Sequence, residues 1–155
     1  MKRAYFATAL KNNVALLRDL VNAVPPAGLD RRVKDYWTLR EHLEHLVLTQ
    51  KMLLGRLEQF KTEARPVMKP YVPETAPPAT ASAQALLDEY EAVREKQLAI
   101  VEAADEAIWA KRAEHAEYRE YGFEILVRHI VLHDSFHMAR MEELWFVKEE
   151  FVTAM

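Results

Sequence analysis

The sequence predicts an all-α protein, a four-helix bundle with a long proline-rich crossover between its second and third helices. Four long segments repeat apolar residues with the period of an amphipathic helix. Strand-turn-strand patterns are missing, and only three glycines occur in the 155 residues. Five of the seven prolines fall between the second and third helical patterns, where they prevent a regular helix. Together these observations indicate long helices packed as a bundle.

Size and charge narrow the classes of protein that the chain can represent. Its residues 1–155 fit one domain and are numerous enough to form a core. A net charge of −3 and scattered Lys and Arg residues argue against a general nucleic-acid binder. No apolar run approaches the ~20 residues that span a bilayer, and the lack of cysteine excludes disulfides and thiolate ligands. We therefore expect a cytoplasmic protein with no nucleic-acid or membrane partner.

The first two helices have recognisable boundaries. The first is predicted from about Lys2 to Ala23, where two consecutive prolines follow. The second begins near Thr38, which forms a plausible capping box with Glu41, and continues to about Glu63. Their apolar stripes comprise Phe6, Leu10, Val14, Leu17 and Leu20 in the first helix and Leu39, Leu43, Leu46, Leu53, Leu57 and Phe60 in the second.

The second half of the chain supplies two further helices and two connections. The third helix is predicted over roughly Ser82–Ala104, and the fourth from Gly122 or Phe123 to about Val147 or beyond. The proline-rich segment Arg65–Ala81 is long for a connection within a compact domain, so it is interpreted as a crossover or a lid. Between the third and fourth helices, Ile108 and Trp109 either start a short helix or lie in an irregular segment. The third helix places Leu86, Tyr90, Val93, Gln97 and Ile100 on one face.

Three histidines recur at intervals of four in the fourth helix, at His129, His133 and His137. Positions four apart lie on one helix face about one turn from each other. The same stripe also holds Leu126, Ile130, Met141 and Leu144. Imidazoles on a core-facing stripe need hydrogen-bonding partners, which a metal ion would supply. Packed core histidines or a surface for a partner helix are the alternatives.

The second helix carries two more histidines, His42 and His45, three residues apart. By helical periodicity His42 lies about 60° from the centre of the apolar stripe and His45 about 120°. Periodicity alone therefore does not favour His45, and both histidines stay candidates. His129 lies about 60° from the centre of its own stripe. It is interpreted as a supporting or packed residue, not as a fourth ligand.

Two motifs in this order resemble the DinB/YfiT-like family. The first is Trp37-Thr38, followed by Glu41 and then by His45-Leu46 on the second helix. The second is the C-terminal segment that starts with His133-Asp134 and continues to His137. Each motif is short, but together with the bundle pattern they are fairly specific. The resemblance covers the whole length of the chain.

The resemblance implies one divalent metal bound by three histidines, one from the second helix and two from the last. Carried over by position, these ligands are His45, His133 and His137, with His42 as the alternative to His45. Zinc or nickel is the first candidate, and iron or manganese is also compatible. The family's Gln corresponds to Arg140 here, which would suit a more anionic substrate if it faces the site.

Function follows from what such a site permits. Three imidazoles leave the ion coordination positions for water or a thiol. The resemblance implies a metal-dependent enzyme, either a thiol-dependent transferase or a hydrolase-like protein. Its partner would be a small-molecule substrate, for which a low-molecular-weight thiol is one candidate. The alternative is a non-catalytic, metal-stabilised bundle for stress response or protein interaction.

Two further expectations concern the surroundings of the site. The resemblance implies a homodimer, which the large apolar residues Trp145, Phe146 and Phe151 near the end of the last helix also favour. The proline-rich segment either bounds the metal pocket, with Tyr71 lining it, or is a plain crossover. Asp134 either orients an imidazole from another element or forms a salt bridge on the helix surface.

Overall fold

Four long helices form the frame of the protein, which confirms the bundle predicted from the sequence. We describe it from a computed structural model that covers residues 3–70 and 81–146. The elements along the chain are α1 (Arg3–Ala23), α2 (Pro26–Leu29), α3 (Leu39–Thr62), β1 (Val67–Met68), α4 (Ala83–Ala103), α5 (Glu106–Ala110), β2 (Arg112–His115), β3 (Tyr121–Gly122) and α6 (Phe123–Trp145). None of the helices in these two ranges is both long enough and apolar enough to cross a membrane.

Long helices that follow each other along the chain are not always neighbours in the bundle. Helix α1 packs mainly against α4 and α6, and α3 packs against the same two helices, so α1 and α3 occupy opposite corners. Arg40 near the start of α3 bonds to Ala81 just before α4, and Gln50 further along α3 contacts Gln97 further along α4. These pairs show that α3 and α4 run parallel. The long crossover makes this direction possible, because a short loop would have forced antiparallel neighbours.

Local signals explain where two of these helices begin. The Thr38 hydroxyl accepts a hydrogen bond from the Glu41 backbone N–H at 3.2 Å, and the Glu41 carboxylate accepts one from the Thr38 N–H at 2.7 Å. The capping box predicted for the second helix is therefore confirmed. Ser82 caps α4 in a simpler way by accepting a hydrogen bond from the Ala85 N–H.

A small three-stranded sheet was not expected from the sequence. Strand β1 pairs in parallel with β2, and β2 pairs antiparallel with β3. Strands of two to four residues are too short to show an alternating pattern, so their sequence carries little signal. The sheet anchors the start of the proline-rich segment, because Met68 is buried in the core. Tyr71, the predicted lining residue, lies outside the described residues.

Most residues of the predicted apolar stripes are buried, although Val14 and Leu20 of α1 are only partly buried, and a layer of polar side chains divides the core that they form. All six stripe residues named for α3 are buried, as are all five named for α4, including Gln97. Apolar residues pack in two clusters, one around Leu10, Leu53 and Ile130 and one around Leu17, Leu46 and Met138. Between the two clusters lies what we call the polar layer, formed by the buried side chains of Asn13, Gln50, Arg94, Gln97 and Asp134.

Candidate metal centre

Three of the histidines singled out from the sequence meet where α3 and α6 face each other. His45 comes from α3, and His133 and His137 come from successive turns of α6. One potential ligand atom from each residue lies within 4.8 Å of the other two. We call these three residues the histidine cluster. Their meeting depends on the antiparallel packing of α3 against α6, which sets His42 opposite His137 and His45 opposite His133.

The donor set of the histidine cluster fits a divalent ion. The Nε2 atoms of His45 and His133 are 3.3 Å apart. Two nitrogens that each lie about 2.0–2.1 Å from one tetrahedral ion are themselves separated by roughly 3.3 Å. The Nδ1 atom of His133 is buried and has no hydrogen-bond partner among the described residues. Since Nε2 is the nitrogen that faces His45, the unpartnered Nδ1 is hydrogen-bonding capacity on the far side of the ring and not a second ligand atom for the same ion.

His42 contacts the histidine cluster through the ring of His137. It is only 3% exposed, and its Nδ1 lies 2.9 Å from the Nδ1 of His137. One of these nitrogens must donate a proton and the other must accept it. If His137 uses Nε2 as a ligand, its Nδ1–H can donate to His42. Histidine ligands usually have such a partner, which orients the ring.

Burial keeps these imidazoles neutral, which is the form that binds a metal. Burial, aided by neighbouring histidines, lowers the pKa of His133 and that of His137 from 6.5 to about 3. Burial is also the main reason that the pKa of His42 falls to about 4, and burial lowers the pKa of His45. At neutral pH each ring therefore presents an unprotonated nitrogen, and an ion has no bound proton to displace.

Two residues beside the cluster were not assigned to the site from the sequence. Trp37 is 44% exposed, and its ring lies 5.1 Å from that of His45 and 6.3 Å from that of His137. The Thr49 hydroxyl is buried and lies 3.3 Å from the Nε2 of His45. The spacing of Thr49, one turn after His45, was a signal that could have identified it. Trp37 precedes the helix, so periodicity says nothing about its direction.

Asp134 corrects one expectation. A salt bridge on the helix surface was one of its two predicted roles, but its carboxylate is fully buried and bonds to Arg94 of α4 at 2.6 Å. Asn13 and Gln50 also donate hydrogen bonds to it. None of the contacts described for Asp134 involves an imidazole, so its other predicted role, orienting an imidazole, has no support either. Asp134 belongs to the polar layer.

Arg140 and His129 lie outside the histidine cluster. The Arg140 guanidinium is nearly buried, bonds to Glu143 at 2.8 Å and stacks over the Tyr36 ring. Its charge is thus already paired with a carboxylate. The His129 ring contacts that of His133 at 6.1 Å between centroids, but His129 does not belong to the group of potential ligands.

Comparisons with known proteins identify the family and the fold of the chain. A family model described as the DinB superfamily matches residues 9–141. The structure of YfiT from Bacillus subtilis, reported as a probable metal-dependent hydrolase with an unusual four-helix bundle topology, is similar with a TM-score of 0.84. The two sequences are 19% identical, and the similarity covers 97% of this chain and 89% of YfiT.

A DinB-like protein from Bacillus subtilis, YjoA, has a similar structure with a TM-score of 0.62 and 10% sequence identity. This similarity covers 97% of this chain and 96% of that protein. No curated protein matches the chain significantly. At such low identities the two structures establish the shared fold.

Proposed function

The chain belongs to the DinB superfamily, and we propose that it is a metal-dependent enzyme of the hydrolase type. In this proposal His45, His133 and His137 hold one divalent ion. The observation that carries the proposal is the convergence of three imidazoles from two facing helices, with potential ligand atoms within 4.8 Å of one another. The similarity to YfiT, reported as a probable metal-dependent hydrolase, supports the choice of reaction class.

A divalent ion on three imidazoles supplies Lewis acidity and lowers the pKa of a coordinated water or thiol. Zinc or nickel is the first candidate, with iron and manganese as further possibilities, because imidazole ligands do not select sharply among these ions. The substrate would be a small molecule, because the histidine cluster lies between two packed helices, α3 and α6, which leave little space for a large one.

The chain's own residues have defined tasks in this proposal. His42 accepts a hydrogen bond from the Nδ1–H of His137 and so holds that ring in place. The Thr49 hydroxyl, adjacent to the Nε2 of His45, can orient a polar group that enters the cluster. Trp37 covers one side of the rings and limits the access of water, which strengthens electrostatic interactions inside.

The metal assignment is tested by metal analysis of protein purified without a nickel column. Wild type should carry about one ion per chain, and His133→Ala and His137→Ala should lose it. His129→Ala is the matched control, because His129 lies on the same helix one turn from His133 but outside the group of potential ligands. Full occupancy in both ligand variants would refute the assignment. Loss of the ion in the control would show that the variants act through folding.

The reaction class is tested with the metal-loaded protein. Ester and amide substrates should be hydrolysed without any added thiol, and His133→Ala should be inactive. The chain contains no cysteine, so a thiol could only act as a substrate. Turnover of electrophiles only when a low-molecular-weight thiol is added would replace hydrolysis by thiol transfer. Metal binding without turnover in either assay would favour a non-catalytic, metal-stabilised bundle.

We also propose that the protein is a homodimer. The Trp145 and Phe146 rings stack with their centroids 4.8 Å apart, and Phe146 is 68% exposed. Trp145 is partly buried against the core, so Phe146 supplies the exposed apolar surface, and such surface often marks an interface. Phe151, the third residue of this expectation, lies outside the described residues. Light scattering should give twice the monomer mass of 18.0 kDa, and the monomer mass at micromolar concentration would count against the dimer.

A further inference from the structure

The seam between α3 and α6 continues beyond the histidine cluster towards Arg56. Arg56 follows His45 by eleven residues, so the two side chains lie only about 20° apart around α3. On α6, His129 lies one turn from His133, with 6.1 Å between the ring centroids. Burial first, and then the charge of Arg56, lowers the pKa of His129. Arg56 and His129 are therefore neighbours across the seam, next to the histidine cluster.

Three elements bring polar side chains together at this end of the seam. Arg56 comes from α3, His115 from β2 and Tyr121 from β3. The rings of His115 and Tyr121 are 4.7 Å apart between centroids. The Arg56 Nη2 donates a hydrogen bond to the Lys69 carbonyl at 2.7 Å, and Lys69 directly follows Met68, which pairs with His115 in the sheet. We call Arg56, His115 and Tyr121 the donor group.

The Tyr121 hydroxyl has unused hydrogen-bonding capacity. Tyr121 is only 2% exposed, and its hydroxyl has no hydrogen-bond partner among the described residues. Burial raises the pKa of Tyr121, and Arg56 is near enough for its charge to offset part of this effect. No hydrogen bond of normal geometry joins the two groups, however. A buried hydroxyl without a partner costs free energy, which a bound molecule could recover by supplying an acceptor.

His115 and Arg56 also present donors. The Nδ1 of His115 accepts a hydrogen bond from the Glu117 backbone N–H at 3.1 Å. Burial and the charge of Arg56 lower the pKa of His115, opposed in part by the Glu117 carboxylate, so the ring is neutral at pH 7. A neutral imidazole whose Nδ1 accepts carries its proton on Nε2, which then donates. Arg56 forms no ion pair within residues 3–70 and 81–146, so its charge is not yet matched.

We infer that the donor group binds a small carboxylate. A guanidinium, a phenol and an imidazole N–H all donate, and together they carry one positive charge, which matches the two oxygens and the single negative charge of a carboxylate. A phosphate dianion would leave a negative charge unmatched. Arg56 and His115 are partly exposed, so a ligand can enter from solvent. The inference does not depend on the metal, because no member of the donor group is a proposed ligand of the ion.

Benzoate is the probe that tests this inference. Benzamide is its neutral counterpart of similar shape, and inorganic phosphate is the competing anion. In NMR titrations of ¹⁵N-labelled wild type, used as purified, benzoate should shift the backbone amides around Arg56, His115 and Tyr121. It should bind about tenfold more tightly than benzamide and more tightly than phosphate. Added salt should weaken benzoate binding, because Arg56 is only partly buried.

Arginine variants locate the bound carboxylate. Arg56→Gln should weaken benzoate binding about tenfold, and Arg56→Lys should retain part of the affinity as a point charge. Arg128→Gln is the matched control, because Arg128 is also partly buried but points about 100° away from His129 around α6. It should bind benzoate as wild type does. Circular dichroism of each variant verifies that it is folded.

Tyr121→Phe separates a role in binding from a role in folding. It removes only the hydroxyl, so benzoate binding should weaken about three- to tenfold. The melting temperature without benzoate should stay the same or rise, because the hydroxyl has no hydrogen bond to lose among the described residues. A lower melting temperature would show that the hydroxyl has a structural partner and would overturn its place in the donor group.

Three other results would overturn the inference. They are equal binding of benzoate and benzamide, unchanged benzoate affinity in Arg56→Gln, and benzoate shifts centred on the histidine cluster, which would mean that the carboxylate binds the metal. Tighter binding of phosphate than of benzoate would overturn the choice of a carboxylate. None of these results bears on the metal assignment, which metal analysis of His133→Ala and His137→Ala decides separately.

Discussion

Two neighbouring residues of α6, His133 and Asp134, enter two very different polar environments. His133 joins the histidine cluster, where neutral imidazoles meet at the seam between α3 and α6. Asp134 joins the polar layer, where its fully buried carboxylate bonds to Arg94, Asn13 and Gln50. Adjacent positions on a helix point about 100° apart, so one helix can serve both environments at the same level of the bundle.

The difference between them concerns which atoms can bind a metal ion. The Asp134 carboxylate accepts hydrogen bonds from Asn13, Gln50 and Arg94, which lie on three different helices, so little of its capacity remains for a ligand. The unpartnered atoms of the polar layer include Arg94 Nε and Nη1, which are donors and cannot coordinate a cation. In the histidine cluster, by contrast, the ring nitrogens mostly face one another, and the Nδ1 of His133 has no partner in the described part of the chain. The polar layer thus joins the helices, whereas the histidine cluster offers ligands. Four predictions test this contrast.

The largest effect is expected from removing the Asp134 carboxylate. Asp134→Ala leaves the Arg94 guanidinium buried without a counter-charge, which should lower the free energy of unfolding by about 3–5 kcal/mol. Urea denaturation followed by circular dichroism measures the loss. The double variant Arg94→Met/Asp134→Leu should be more stable than Asp134→Ala, because both charges are then removed. A loss below about 1 kcal/mol in the single variant would show that the pair does not join the helices.

Metal removal should have a smaller effect. An ion that binds only the folded state stabilises it by about 2.7 kcal/mol when its free concentration is 100 times its dissociation constant. A chelator should therefore lower the melting temperature but leave the helical circular dichroism intact, since the apolar clusters and the polar layer do not depend on the ion. An unfolded metal-free protein would contradict the independence of the two environments.

Acid should lower the folding stability of the metal-free protein through the histidine cluster. The pKa values of His133 and His137 are about 3 in the folded protein, below the usual 6.5. The unfolded chain then binds more protons, so stability is full above pH 6.5 and falls as the pH drops toward 3. For the metal-free protein each imidazole contributes up to about 1.4 kcal/mol per pH unit.

Urea denaturation of the metal-free protein between pH 7 and pH 5 measures this slope. His133→Gln should make the slope shallower, because glutamine does not titrate in this range. The same slope in wild type and in His133→Gln would mean that other groups cause the loss of stability in acid.

The smallest effect is expected from His42. His42→Phe removes the acceptor for the Nδ1–H of His137 while keeping an aromatic ring, and it should weaken metal binding about tenfold. Competition with a chromogenic chelator measures the affinity, and His129→Phe should leave it unchanged. Complete loss of the ion would instead make His42 a ligand, the alternative that the sequence left open. An unchanged affinity would remove His42 from the site.

Much of this architecture could be predicted from the sequence, because it depends on local repetition. The stripe of Leu39, Leu43 and Leu46 lies on one buried face because apolar residues repeat with the period of the helix. The capping box of Thr38 and Glu41 needs only residues that are three positions apart. The same local spacing put His133 and His137 on one face of α6 before any partner was known.

What stands opposite each face was decided by the tertiary structure alone. Helical periodicity placed His42 nearer to the apolar stripe than His45 and so did not favour His45. Their positions separate only in the fold, where α3 is rotated so that His45 meets His133 and His42 contacts His137. The burial of Asp134 depends likewise on Arg94, a residue from a distant helix. Periodicity determines which side chains share a face, but non-local packing determines which helix that face meets. The parallel α3–α4 arrangement, which the long crossover permits, belongs to the same non-local part of the fold.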